Sequence, residues 1–119
     1  MKWVGYNVGQ WHDLRHLFHI PNGGLRNKVV ATKMKAEGVK PGVSDYFLPV
    51  PAWDCDYYLQ YHGLWIELKA QKKYPTTSQR EFLNDMRQQG YAAYWCMGWE
   101  EASQILLQYL RGDPITGRD

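Results

Sequence analysis

The six residues Leu64-Trp65-Ile66-Glu67-Leu68-Lys69 limit the folds open to this chain more than any other stretch. Four of the six are apolar, and together they read as a β-strand that looks buried. Its end nevertheless carries Glu67 and Lys69. Alternate residues of a strand share a face, so this carboxylate and this ammonium project on the same side. They form either an ordinary ion pair at a solvated strand end or part of a chemical site.

The surrounding pattern predicts the elements that enclose this strand. Trp11, Leu14, Leu17 and Phe18 fit a helical stripe, although His16 to Ile20 also reads as a short strand before Pro21. The turn Pro21-Asn22-Gly23-Gly24 leads into a predicted helix over 25–37 that stops at Gly38. Pro41 and Gly42 suit the centre of a type II turn. Strands follow over 45–50 and 61–69, with a ten-residue loop between them and a hairpin as the simplest connection. Thr76 and Gln79 form a capping-box pair at the start of a helix striped by Phe82, Leu83 and Met86 and closed by Gly90. A strand over 91–97 and a helix over 100–110, with Ala102, Ile105, Leu106 and Tyr109 inward, complete the order. Residues 111–119 read as a loose tail. The pattern predicts one α/β domain over 1–119, a mixed β-sheet flanked by helices in the order α-β-β-α-β-α.

The two central strands suggest a carboxylate pair. If they pair as a hairpin centred near Asp56, residues whose numbers sum to 112 face each other, and Asp45 then faces Glu67. Opposed side chains have Cβ atoms about 5 Å apart. Two carboxylates that close repel, and a divalent cation reverses the sign of that interaction. Mg²⁺ is held by one or two carboxylates, with waters and phosphate oxygens completing its shell. Lys69 on the same face could offset charge building on a phosphate or orient an attacking water. Gln79 lies at a helix N-terminus that faces the sheet, where anions are favoured.

These pieces, in the order HIPNGGLRNKVVATKMKAEGVKPGVSDYFLPVP, YHGLWIELK, SQREFLNDMRQQGY and GWEEASQILLQYL, resemble the VRR-NUC family, the virus-type replication-repair nucleases. That family belongs to the PD-(D/E)xK nuclease superfamily, and the likeness runs from His19 to Leu110. It implies a restriction-endonuclease-like fold. It also implies that Asp45 stands for the superfamily's aspartate, Glu67 and Lys69 for its ExK, and Gln79 for the glutamine of the next helix. Mg²⁺ or Mn²⁺ would be held by Asp45, Glu67 and the backbone carbonyl of Leu68. The expected activity is metal-dependent, structure-selective endonuclease cleavage of branched DNA such as four-way (Holliday) junctions. Such activity would serve DNA repair, in the cytoplasm of a bacterial or phage-infected cell. Small stand-alone members act as homodimers. Two positions depart from the pattern: Ser44 replaces the usual proline, and the only acid among residues 1–18, where a further acidic ligand is usual, is Asp13.

Other residues support weaker or competing readings. Asn22, Gly23, Gly24, Arg26, Lys72 and Lys73 are candidates for contacting DNA phosphates, and Lys28, Lys33 and Lys35 extend the charge of the predicted helix. A net charge of +2 is compatible with an anionic partner without demanding one. His12 and His16, four apart, allow a zinc hydrolase as an alternative, and His19 lies just before the turn. A non-cleaving DNA-binding module on the same fold is the other competitor. Six Trp and nine Tyr fit core and interface packing more simply than base stacking, with Trp53, Tyr57, Tyr58 and Trp95 as candidates for a dimer surface. Cys55 and Cys96 read as reduced, inert thiols, and no apolar run is long enough to span a membrane.

Overall fold

A computed structural model describes residues 1–21, 32–33 and 35–119. The Asn22-Gly23-Gly24 turn, Arg26, Lys28 and most of the helix expected over 25–37 lie outside the described residues. The predicted end of that helix is present. The N–H groups of Glu37 and Gly38 donate to the carbonyls of Lys33 and Lys35 at 3.0 and 3.1 Å, and Gly38 adopts φ +95°.

The chain begins with α1 (Lys2–Asn7), a 3-10 turn (His12–His16) and the short strand β1 (Phe18–His19). The helical stripe expected here is therefore the 3-10 turn, whose three-residue period buries Leu14 and Leu17. The rest comprises β2 (Tyr46–Leu48), β3 (Ala52–Trp53), β4 (Leu59–Tyr61), β5 (Leu64–Lys69), α2 (Thr77–Gln88), β6 (Ala92–Met97) and α3 (Gly98–Arg111). The main sheet has the order β1-β2-β5-β6. Its first two pairings are antiparallel, while β5 and β6 run parallel, as a strand, crossover helix and strand require. The fold is a mixed sheet flanked by helices, consistent with the restriction-endonuclease-like class.

The expected middle hairpin is more elaborate than a loop. Pro49 and Pro51 have no N–H to donate, so the β2 ladder ends at Leu48. The next residues form a separate antiparallel ribbon, β3–β4. The strand expected over 61–69 is thereby divided at His62 and Gly63. A Cβ at Gly63 would meet the Leu48 carbonyl and the Phe47 ring at 3.0 Å, so the absence of a side chain lets the chain return against β2.

Strand alternation assigns the two cores. Leu64 and Ile66, with the partly buried Leu68, pack with Ala102, Ile105 and Leu106 on the α3 side. Trp65 packs with Leu83, Ala93, Trp95, Met97 and Met86 on the α2 side. Trp95 is only 6% exposed, so it belongs to this second core and not to a surface. Tyr109 closes the first core, and its hydroxyl donates to the Val50 carbonyl.

Residues 112–119, expected to be loose, are held. The Trp95 N–H donates to the Arg118 carbonyl at 3.0 Å, and Gln108 and Thr116 exchange two hydrogen bonds. Arg118 grips Glu101 at 2.9 and 3.1 Å. Among the described residues, no helix is long and apolar enough to cross a membrane.

Candidate active site

The observed β2–β5 register pairs Tyr46 with Ile66, Phe47 with Trp65 and Leu48 with Leu64. Every pair sums to 112, the register that sets Asp45 against Glu67. Asp45 sits one residue before the ladder, and its Oδ2 accepts a hydrogen bond from the Leu68 N–H at 2.9 Å. A residue's N–H and C=O project to the same side of a strand, so the Leu68 carbonyl also points toward β2 and the Asp45 carboxylate.

The approach to Asp45 depends on the turn before it. Gly42 has φ +87°, which the third position of a type II turn requires. A Cβ there would fall 2.5 Å from the Ser78 carbonyl oxygen. The turn therefore packs directly on the first turn of α2, and the start of β2 and the N-terminus of α2 are fixed together.

Glu67 and Lys69 leave β5 on the α2 side. The Lys69 Nζ lies 3.3 Å from Glu67 Oε1, with side-chain exposures of 18% and 2%. The other oxygen, Glu67 Oε2, is buried with no hydrogen-bond partner among the described residues. Burial, followed by the charge of Asp45, raises the Glu67 pKa from 4.5 to about 7. The nearby ammonium and, to a smaller extent, the Asp45 backbone N–H oppose this rise and lose. An ion pair that compensates only one oxygen does not offset the desolvation of the whole carboxylate. Without a further positive charge, this site holds a carboxylate that is half protonated near neutral pH.

Gln79 is engaged in its own helix. Thr76 Oγ1 accepts from the Gln79 N–H at 3.3 Å, and Gln79 Oε1 accepts from the Thr76 N–H at 2.8 Å, completing the expected capping box. Lys72 and Lys73 are exposed in the turn after β5. Lys72 takes a left-handed conformation at φ 64°.

The remaining candidates lie elsewhere. Asp13 lines a cleft of about 270 Å³ with Val50, Pro51, Arg111 and Gly112. Val50 follows the C-terminal end of β2, whereas Asp45 precedes its start, so Asp13 sits in a cleft at the opposite end of the strand from Asp45. His12 and His16 are exposed on the 3-10 turn, where residues four apart point about 120° away from each other. His16 Nε2 instead accepts from Arg15 Nε at 3.2 Å, and the zinc geometry is not formed. His19 pairs with Tyr46 in the ladder and so faces the α3 side, away from the carboxylates. Cys55 and Cys96 are both free. Burial pushes the Cys96 thiol up to about 12, which keeps it protonated.

The donor set fits a hard divalent cation. Two carboxylates, one with an unpartnered oxygen, and an adjacent carbonyl match the few protein ligands that Mg²⁺ accepts. Among the described residues no group of three or more His, Cys, Asp or Glu side chains is assembled, which disfavours a closed zinc site.

Two features have no clear signal in the sequence. Ser44 is fully buried, and its hydroxyl has no partner among the described residues. Tyr74, Arg80 and Trp95 cluster beside Glu67. Only the parallel register of β5 and β6 reveals that cluster, and parallel register is not set by any local turn.

No family model matches the sequence, and no curated protein does. Among solved structures, a chain described as "VRR_NUC domain protein" is similar over 94% of this chain and 89% of its own length, with 27% identity and a TM-score of 0.66. The ordered motifs resemble those of the VRR-NUC family, and this near-complete structural likeness supports that resemblance and a nuclease-type fold.

Proposed function

We propose that this protein is a metal-dependent, structure-selective DNA endonuclease acting on branched DNA such as four-way junctions. The observation that carries this reading is the opposed pair Asp45 and Glu67, with Glu67 Oε2 buried and unpartnered. A structural sheet gains nothing from two facing carboxylates, one of them desolvated. A site that receives a cation and a phosphate accounts for both.

Asp45, Glu67 and the Leu68 carbonyl would hold Mg²⁺ or Mn²⁺. A bound divalent cation supplies charge neutralisation at the scissile phosphate and lowers the pKa of a coordinated water. The Leu68 N–H fixes the Asp45 carboxylate in place, so little reorganisation is required during reaction. The Lys69 ammonium, released from Glu67 when that carboxylate has another positive partner, orients the attacking water or offsets charge on the phosphate. Gln79 steadies the helix N-terminus beside the site, and Lys72 and Lys73 position neighbouring phosphates without reading sequence.

The protein acts as a homodimer in this reading, so that two sites related by a two-fold axis address opposing strands. The β3–β4 ribbon supports a self-association surface. Trp53, Tyr57, Tyr58 and Leu59 are 54%, 87%, 72% and 43% exposed on it, and Asp54 and Asp56 at its tip disfavour contact with DNA phosphates.

A second reading, a DNA-binding module that does not cut, is favoured by the placement of Asp13 away from the site. Incubating labelled junction, flap, splayed-arm and duplex DNA with the protein and Mg²⁺ distinguishes the two. Nicked junctions that disappear with Glu67→Gln support the endonuclease. Retarded but uncut DNA supports the binding module.

A further inference from the structure

Trp95 is the register partner of Glu67 in the parallel pair β5–β6, so its side chain leaves the same face about 5 Å away. Asp45, Glu67 and Trp95 therefore form a row across the sheet. The outer end of that row has its own arrangement. The Arg80 guanidinium, in the first turn of α2, lies 5.7 Å from the Trp95 ring centre. The Tyr74 ring meets Trp95 edge-on at 5.8 Å, and Arg118 lies 5.0 Å from it on its own approach.

The two arginines differ in their charge partners. Arg118 is bound bidentately by Glu101, so its charge is satisfied within the fold. Arg80 is exposed and has no carboxylate partner among the described residues. Tyr74 is 63% exposed although one edge of its ring is anchored. Core packing explains Trp95 but not an open tyrosine face and an exposed guanidinium without a carboxylate partner both seated against the same ring. Lys72 and Lys73, both exposed, directly precede Tyr74 in the chain.

We propose that Tyr74 and Arg80 form a nucleotide-positioning subsite, in which Tyr74 stacks on a base of the strand being cut and Arg80 bonds a phosphate near the scissile one. Two strand spacings separate Asp45 from Trp95, about 10 Å. Tyr74 and Arg80 lie a further 5.8 and 5.7 Å from the Trp95 ring centre, so at a rise of about 3.4 Å per nucleotide this subsite takes a nucleotide roughly three to five positions from the cut. Buried Trp95 is the platform that fixes both side chains. The inference rests on the nuclease reading and adds to it where the DNA strand runs: across the sheet from β2 toward β6.

The test compares the wild-type chain with Arg80→Ala, Arg80→Lys, Tyr74→Ala and Tyr74→Phe. Binding of labelled single-stranded and four-way-junction DNA is measured in EDTA, and cleavage is measured with Mg²⁺. Tyr74→Ala weakens binding about fivefold or more, and Tyr74→Phe restores it because the ring face is retained. Arg80→Ala lowers the slope of log affinity against log salt by about 0.7 to 0.9, and Arg80→Lys recovers most of it. Both alanine variants raise KM while kcat stays within about twofold of wild type, the signature of lost uniform binding. Unchanged melting curves exclude a folding defect. Wild type that binds and cuts DNA while both alanine variants match it overturns the subsite alone. Wild type that neither binds nor cuts overturns the nuclease reading and the subsite together.

Discussion

The Leu68 N–H donates to Asp45 Oδ2 at 2.9 Å, tying the first carboxylate of the site to the strand that carries the second. This bond separates the structural role of Asp45 from its proposed chemical one. Asparagine keeps an acceptor for Leu68 and loses the negative charge. Asp45→Asn is predicted to stay within about 1 kcal/mol of wild-type stability while cleavage falls by about 100-fold or more. Asp45→Ala, with no acceptor, loses both. Chemical denaturation and single-turnover cleavage of the three proteins check this.

Glu67 makes stability depend on pH in an unusual direction. Its folded pKa of about 7 exceeds its ordinary 4.5, so the folded protein binds more protons than the unfolded chain between those values. Stability is therefore highest below pH 4.5 for this group and falls as pH rises toward 7, by up to about 3 kcal/mol. Glu67→Gln removes that slope and is more stable than wild type at pH 8 in EDTA. Denaturant midpoints from pH 4 to 8 provide the measurement, and identical slopes for the two proteins would contradict the assignment.

Metal binding should mirror this behaviour. A cation competes with the proton on Glu67, so Mg²⁺ raises the wild-type melting midpoint more at pH 8 than at pH 5. It raises that of Glu67→Gln at neither pH. Equal stabilisation of both proteins would place the ion elsewhere.

Gly42 is predicted to resist substitution. Its φ is +87°, and a Cβ added there would stand 2.5 Å from the Ser78 carbonyl oxygen. Backbone strain and a backbone clash therefore act together. Gly42→Ala is expected to cost about 1–3 kcal/mol and to reduce cleavage, because the turn sets both Asp45 and the α2 N-terminus. Thermal melting reads the first effect and cleavage the second.

The exposed ribbon predicts the effect of surface changes on mass. Replacing Tyr57 and Tyr58 by serine should convert a dimer to a monomer in light scattering with melting little changed, since both rings are largely exposed. A wild-type monomer, or a double variant that remains dimeric, rules out this surface.

How much of the fold and site is legible in the sequence follows from how local each signal is. The capping box at Thr76 and Gln79 and the inward face of α3 are readable because short-range patterns set them, whereas the Asp45–Glu67 register matches an assumed hairpin centre that a ten-residue loop does not fix. The ribbon is not, since its strands are short and Pro49 and Pro51 resemble loop punctuation. Composition alone cannot tell a core tryptophan from an exposed one, so Trp95 reads as a surface candidate although the fold buries it. The held tail depends on Arg118 reaching Glu101 and Trp95, pairings no sequence period announces. Asp13 is excluded from the site only by the position of the 3-10 turn, which packs at the far end of β2.

Convergence of Asp45, Glu67 and the Leu68 carbonyl on one divalent cation underlies the proposed chemistry. Anomalous scattering from crystals of the protein soaked in manganese locates that ion without reference to activity. The expected result is a peak within coordinating distance of both carboxylates and the Leu68 oxygen, absent in Glu67→Gln. A well-occupied peak elsewhere, or a peak at this position that survives the loss of Glu67, would refute the shared site.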